Sequence, residues 1–297
     1  MTSHITALLI LNSSSRNGGD ADIQQGLSLL ENANITLIRK SPSSAEECRK
    51  IIAEHANQVQ LVILGGGDGT ISSAVETLYQ HKLPLAILPL GTANDLARSL
   101  EIPTNLTEAC QTILDNHRSK IDLGVLNGHY FLNAAHIGLG VKVSHELTPD
   151  IKKKLGIFSY LHAVFAAFKN NKSFRVNITI DGKTQVLRSI QLTVGNGRYY
   201  GGGNIVDERS AINDGLLRVY SIPPTRFWDL LSHAFLLRNG KQREIENIFT
   251  ASGKRIEINT KRPKEIHADG EAVCNTPALF EIIPQALEVV RPRPTTL

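Results

Sequence analysis

Six consecutive residues, Gly65-Gly66-Gly67-Asp68-Gly69-Thr70, are the part of the chain best suited to chemistry. They stand between an apolar run ending at Leu64 and a helical pattern through Val75 and Leu78. Glycines let a backbone come close to a polyphosphate, and the amino end of a helix presents N–H groups to it. The register is not that of a P-loop, which needs a Lys-Ser/Thr pair, nor the G-x-G-x-x-G of dinucleotide sites. Asp68 sharpens the reading. A carboxylate ~4 Å from one phosphate charge is repelled by about 4 kcal/mol at an effective dielectric of ~20, so a cation belongs between them. Mg²⁺ held by a carboxylate and by substrate phosphates is the usual arrangement where phosphoryl groups move. The competing reading is a tight strand-to-helix turn in which Asp68 only caps the helix. A second loop, Pro89-Leu90-Gly91-Thr92-Ala93-Asn94-Asp95, follows the next apolar run. There Thr92 and Asn94 can hydrogen-bond a phosphate or a ribose, and Asn94 or Asp95 can cap the following helix.

Two loops of this kind need strands to hold them. Ile5 to Leu11 reads as a strand, and Ile23, Leu27 and Leu30 then recur on one helix face. Residues 35–39 form the next strand, followed by Ser44 and Glu47, the capping box of a helix carrying Cys48, Ile51 and Ile52. The continuous apolar runs 61–64 and 85–88 suit strands buried on both faces of a parallel sheet. The pattern is a doubly wound α/β domain, whose ligands bind outside the carboxyl ends of the strands, where both loops lie. Beyond residue 121 the period changes. Segments 124–132 and 176–186 centre on Asn127-Gly128 and Asp181-Gly182, both hairpin signatures. Further strands are expected at 189–194, 216–222, 255–259 and 280–283, with helical interruptions near 151–168 and 227–237. The expected domains are therefore 1–121, α/β, and 122–285, β-rich, with a return of 286–297 to the first left open.

With 297 residues, 41% hydrophobic and 20% charged, the chain resembles an ordinary globular protein of two domains. Cys48, Cys110 and Cys274 are odd in number and form no C-x-x-C pair, which argues against a disulfide framework and points to the cytosol. No apolar run approaches the ~18 residues of a membrane span, and the first 12 residues carry no signal-peptide pattern. A net charge of +4, without aromatic interleaving, excludes nucleic acid as the expected partner.

At the two loops the sequence resembles the diacylglycerol kinase catalytic-domain family, which includes sphingosine kinases and the YegS-like bacterial lipid kinases. The resemblance covers nearly the whole chain and is nearest to the YegS-like branch. It extends through Gly195-Asn196-Gly197, Gly201-Gly202-Gly203, Ile212-Asn213-Asp214-Gly215-Leu216 and Asp269-Gly270-Glu271, in the family's order. It implies a nucleotide-binding α/β domain joined to a β-sandwich, with the active site in the cleft between them. Gly66, Gly67, Asp68, Gly69, Thr70 and Thr92 would hold ATP and its metal, with Ser41 also touching the nucleotide. The general base would be Glu271 or Asp269, with Glu271 preferred. Asp214, with the carbonyls of Ala211 and Leu216, would bind a structural Mg²⁺. Read without the resemblance, Asn213-Asp214-Gly215 and Asp269-Gly270 are ordinary turns.

Two departures count against full activity. Ser72-Ser73 stands where many relatives carry Asn-Glu, and Asn12-Ser13-Ser14-Ser15-Arg16 replaces an Asn-Pro-x-Ser-Gly motif. Ser72-Ser73 makes a non-catalytic nucleotide or lipid sensor one rival; the other is an NAD kinase, a family similar to this chain at Gly66-Gly67-Asp68-Gly69-Thr70, although the second Asn-Glu motif that grips NAD is missing. The expected activity is transfer of the ATP γ-phosphoryl group to a lipid alcohol such as diacylglycerol or phosphatidylglycerol. The expected setting is cytoplasmic, with peripheral and reversible contact at the inner membrane surface; a homodimer stays open. Lys152, Lys153 and Lys154 precede a helical pattern with Leu155, Phe158, Leu161, Phe165 and Phe168 near one face. That segment either docks on anionic bilayers or packs on the β-domain with its lysines solvated.

Overall fold

Runs of apolar residues with no polar alternation can be satisfied only by burial on both faces, and the first sheet is built from such runs. β1 (Ile5–Leu11), β2 (Ile35–Lys40), β3 (Leu61–Gly66) and β4 (Leu85–Pro89) pair in parallel in the order β2-β1-β3-β4. Every residue of β3 and β4 is buried. The computed structural model describes residues 4–11, 20–33, 35–146, 159–169, 171–232, 236 and 238–293. They fall into two units: Met1–Leu123 with Gly201–Gly203 and Pro284–Leu297, and Gly124–Tyr200 with Asn204–Ile283.

In the first unit the strands alternate with helices α1 (Asp20–Glu31), α2 (Ala45–His55), α3 (Asp68–Gln80), α4 (Asp95–Ser99) and α5 (Leu106–Asp115). α1 packs on α5 and α2 on α3, as in a doubly wound sheet. Ser44 caps α2, its hydroxyl accepting the Glu47 N–H at 3.1 Å, while the Glu47 carboxylate reaches one residue past the expected box partner and accepts the Ser43 N–H at 2.7 Å. A cap of this kind contributes ~1 kcal/mol. The chain runs from β1 outward to β2 and then back past β1 to β3, so the strand order reverses between β1 and β3. Leu11 lies in register with Gly65 at that reversal. The glycine loop therefore begins at the topological switch point, where open α/β sheets bind ligands.

The second unit begins within β5 (Arg118–Leu126), which turns at Asn127-Gly128 into β6 (His129–Phe131). Then follow β7 (Ala134–Gly138), α6 (Leu139–Glu146), the helix Ser159–Lys169, β8 (Phe174–Ile180), β9 (Lys183–Ser189), β10 (Gln191–Gly195), β11 (Tyr199–Tyr200) and β12 (Asn204–Ile205). The rest is β13 (Leu217–Ile222), the helix Phe227–Ser232, β14 (Phe249–Gly253), β15 (Arg255–Thr260), β16 (Glu265–Ala268), β17 (Glu271–Asn275) and β18 (Ala278–Val290). One antiparallel sheet has the order β14-β13-β10-β7-β16-β17; the other layer carries β15, β8 and β9 with the first half of β18. Period-two alternation turns Ile137, Leu192, Val194, Val219 and Ile266 of one layer toward Val176, Ile178, Ile256, Ile258 and Phe280 of the other. Phe131 meets Phe280 edge-on, with centroids 6.2 Å apart.

The structure departs from the sequence reading in places. The last strand runs from Ala278 to Val290, past Pro284 and Gln285, whose positive φ of 51° bends it. Its last turn returns to the first unit, where Val289 pairs in parallel with Leu85. β7 and α6 were not foreseen, because Gly138, at φ 99°, switches strand to helix without any polar loop. Residues 12–16 and 151–158, which carried two of the sequence expectations, lie outside the described residues.

The face of the six-stranded sheet turned away from the sandwich core carries a polar row. His267, His136, Thr193 and Tyr220 are successive register partners, with α6 and the helix Ser159–Lys169 contributing Leu139, Val143, Ala163 and Ala167 to the adjoining apolar cluster. His136 faces Thr193, Gln191, Tyr200 and His267. Burial, and secondarily His267, push its ring down to about 4. Above pH ~6.5 the ring is neutral folded or unfolded; below it the unfolded chain gains a proton that the folded ring refuses until about pH 4. Stability is therefore full above pH ~6.5 and is lost as pH falls toward 4. The full shift corresponds to ~3 kcal/mol, and the partial exposure of the residue reduces that to ~2 kcal/mol. Denaturant midpoints at pH 7 and pH 4.5 should show wild type losing ~2 kcal/mol more than His136→Gln; equal losses would refute the assignment.

Candidate active site

The two loops expected to bind phosphate lie against each other through bare backbone. A Cβ on Gly91 would come within 2.4 Å of the Gly67 Cα, and one on Gly67 within 3.1 Å of the Gly91 Cα. Gly91 has no room for a side chain, and one on Gly67 would need the facing backbone to give by a few tenths of an ångström. Gly67 is the N-cap of α3 and provides no side-chain cap. Gly69 is exposed, and a Cβ there would meet no atom within 4 Å. Packing does not demand glycine at that position, which disfavours a helix by ~1 kcal/mol relative to alanine; approach of a ligand would explain it.

Asp68 is the first residue of α3, yet its carboxylate serves the next helix, accepting the Leu96 N–H of α4 at 3.2 Å. The capping reading was right in kind and wrong in helix. Asn94 corrects another expectation. Its backbone is left-handed, φ 50°, and its side chain is buried in its own loop. There Oδ1 accepts the Gly91 N–H at 2.9 Å, and Nδ2 donates to the Gly91 carbonyl at 2.8 Å. That amide braces the loop instead of reaching outward, and it makes no cap bond. Thr92 is exposed at the tip and Thr70 is half-buried beside Gly66. Ser41 is exposed just beyond β2, two strands from β3, hence ~10 Å away across the sheet.

Sequence reasoning missed the role of Asp95. Its buried carboxylate accepts the N–H groups of Gly202 at 2.9 Å and Gly203 at 2.8 Å. Burial pushes Asp95 above the ordinary carboxylate range, as does the Asp68 charge; the two glycine N–H groups and Arg98 pull the other way. Arg98 belongs here too, its guanidinium 3.7 Å from where a Gly203 Cβ would be. The signal was present as three glycines in a row, but nothing local pairs them with a residue more than a hundred positions earlier.

In the second unit Asp269 and Glu271 have unlike surroundings. Asp269 is left-handed, φ 48°, in the turn joining β16 to β17. Its carboxylate accepts three backbone N–H groups: Leu132 at 2.7 Å, Asn133 at 2.9 Å and Ala134 at 3.3 Å. The same stretch is held from its other side by Asn196, which donates to the Leu132 carbonyl at 2.9 Å. Glu271, at the start of β17, is exposed.

Asp214 accepts the N–H groups of Ala211 at 3.2 Å and Leu216 at 3.0 Å and pairs with Arg218 at 2.6 Å. A guanidinium thus already supplies the positive partner that Mg²⁺ would provide, and this arrangement does not fit a structural metal held by Ala211, Asp214 and Leu216. Among the described residues no group of three or more His, Cys, Asp or Glu side chains is gathered for a metal. A cation shared between one carboxylate and substrate phosphates needs no such group, and Asp68 beside open helix backbone fits that kind of site.

Comparison with known proteins agrees with this architecture. Residues 6–126 match the diacylglycerol kinase catalytic domain, and residues 134–291 match the YegS C-terminal NAD kinase beta sandwich-like domain. The chain belongs to the diacylglycerol kinase family of phosphotransferases, which act on an alcohol group. Within it, the chain is similar to proteins named probable lipid kinase YegS-like. One from Pseudomonas aeruginosa is 30% identical, with 96% of this chain and 94% of that protein covered; one from Yersinia enterocolitica is 31% identical, with 95% of each covered. A crystal structure of a diacylglycerol kinase from Bacillus anthracis aligns over all of both chains with a TM-score of 0.77 and 26% identity.

Replacing Asp95 by Asn keeps its shape but cannot satisfy both glycine N–H groups, so a stability loss of ~1–3 kcal/mol is expected. Hydrogen exchange should quicken selectively at the Gly202 and Gly203 amides. Unchanged protection there would show that the carboxylate does not hold the loop.

Proposed function

We propose that this protein uses ATP and Mg²⁺ to phosphorylate the hydroxyl group of a membrane lipid of the diacylglycerol or phosphatidylglycerol type. The observation that carries the reading is the glycine loop at the switch point, with its open helix end beside a carboxylate. There the backbone at Gly66, Gly67 and Gly69 receives the phosphates, the hydroxyls of Thr70 and Thr92 bond to them, and Ser41 reaches the nucleoside side. Asp68 holds the metal. Mg²⁺, when bound, supplies the positive charge that neutralises the β- and γ-phosphate oxygens.

Removing the hydroxyl proton as the phosphoryl group transfers requires a base with a lone pair to spare. Asp269 spends its oxygens on Leu132, Asn133 and Ala134. Glu271, two residues on and exposed, is the carboxylate left for that role. Asp269 fixes the turn from which Glu271 projects.

The two acids should therefore fail differently. Glu271→Gln should lower kcat by ~100-fold or more with ATP affinity and melting temperature unchanged. Asp269→Asn should lose ~1–3 kcal/mol of stability first, because it strands backbone N–H groups. If Asp269→Asn loses turnover without loss of stability while Glu271→Gln is active, the assignment is reversed. For the metal, Asp68→Asn is the informative variant: its amide oxygen can still accept from Leu96 while the charge is gone. Turnover should drop at least ~100-fold in a folded protein, and near-normal turnover would remove the metal role. The assay is labelled ATP with Mg²⁺ and lipids in mixed micelles, with NAD as competing acceptor. ATP binding without lipid-dependent ADP release would mark a sensor instead.

A further inference from the structure

Four large apolar side chains are exposed among the described residues, and three of them, Phe165, Trp228 and Leu231, belong to two helices of the second unit. Trp228 is 74% exposed and Phe165 is 54% exposed. They are one cluster. The Phe227 ring lies 5.1 Å from Phe165, 5.4 Å from Phe168 and 5.6 Å from Trp228, centroid to centroid. In the short helix Phe227–Ser232, Leu230 is buried and Phe227 half-buried, while Trp228 and Leu231, three apart on the next face, point outward. The helix is thus anchored by one side and presents a Trp and a Leu on the other. Clustered exposure of this kind on a soluble fold marks an interaction site.

A positive cluster lies close by. Lys142 of α6, Lys172 and Lys264 are near enough that burial, followed by the charges of Lys264 and Lys172, lowers the Lys142 ammonium below the usual lysine range. Lys172 follows Phe168 by four residues, so the two are at most ~14 Å apart along the chain. Residues 165–172 and 226–231 contain Lys169, Lys172 and Arg226 against Asp229, three positive charges minus one negative, or +2.

We propose that the aromatic cluster of Phe165, Phe227, Trp228 and Leu231, with Lys142, Lys172 and Lys264 beside it, is the surface by which the second unit docks on an anionic lipid bilayer. The choice of a bilayer rests on the lipid kinase reading, and three features support it. Tryptophan is the side chain that settles at the boundary between headgroups and hydrocarbon. Mutually repelling lysines are relieved by anionic headgroups. A second copy fits poorly, because a two-fold contact on this patch would set each lysine cluster against its own copy. No helix among the described residues is long and apolar enough to cross a membrane, so contact through them is from the water side.

Trp228 is the only tryptophan in the chain, so its fluorescence reports on the patch directly. With vesicles of equal phosphatidylcholine and phosphatidylglycerol, the emission should shift to the blue and be quenched by brominated acyl chains. With phosphatidylcholine alone it should change little. Raising salt from ~0.1 to ~0.5 M should weaken binding by ~10-fold. In co-sedimentation, Trp228→Ser should bind at least ~5-fold more weakly, and Lys172→Gln with Lys264→Gln should lose most of the salt dependence. Unchanged emission on vesicles overturns the proposal whether or not the variants fold. A blue shift that grows with protein concentration in the absence of vesicles overturns it in favour of self-association. Activity separates this from the parent reading: a Trp228→Ser enzyme that phosphorylates short-chain dispersed lipid normally but vesicle lipid poorly supports docking. Wild type that enters vesicles but phosphorylates no lipid leaves docking standing and removes the lipid kinase reading.

Discussion

A carboxylate accepting backbone N–H groups from a remote stretch of chain is the bond on which the loops of this protein depend. Asp95 holds Gly202 and Gly203, Asp269 holds residues 132–134, and Asp122 holds the Gln285 N–H at 2.7 Å. Asp181 does the same for Lys254 and Arg255, and Asp68 for Leu96. The donors they take lie in turns, at a strand irregularity or at a helix start, where regular pairing leaves them without a backbone partner. Hydrogen bonds to a charged acceptor contribute about 1.5–3 kcal/mol, more than neutral ones, so a few of them can hold loops that have little apolar contact.

That economy of side chains separates residues committed to the architecture from those left exposed. Asn94, Asp95 and Asp269 have the residue types of a catalytic centre and are occupied by the architecture. Ser41, Gly69, Thr92 and Glu271 remain exposed. Residue type at a motif position marks where a site is; the partners each side chain already has determine which members are available to a substrate.

Local patterns made much of the fold readable. Apolar runs located β1 to β4, and the Asn-Gly and Asp-Gly pairs located two hairpins, whose left-handed residues Asn127 and Asp181 have φ of 47° and 46°. The glycine loop was readable because it stands directly between an apolar run and a helical pattern, although the contact that favours glycine at Gly67 is with Gly91 of the next loop. What stayed hidden depends on distance in sequence. No spacing rule links Asp269 to Leu132 or Asp95 to Gly202, and Asn94 turns inward because of a left-handed backbone that its neighbours do not announce. Gly138 and Gln285 also redirect the chain at positive φ, and the local signs, Gly138-Leu139-Gly140 and Pro284, do not say in which direction.

The return of β18 to the first sheet has a consequence for how the protein is made. The chain passes between the two units four times, after Leu123, Tyr200, Gly203 and Ile283, and the parallel neighbour of Leu85 is Val289. While the polypeptide emerges from the ribosome, β4 waits through the whole synthesis of the β-sandwich with one hydrogen-bonding edge uncovered. All five of its residues are ones that the finished fold buries. Such an edge is a template for pairing with other chains. The nascent first unit thus keeps that edge unpaired until the last strand arrives, and no single cut would free either half as an independent module.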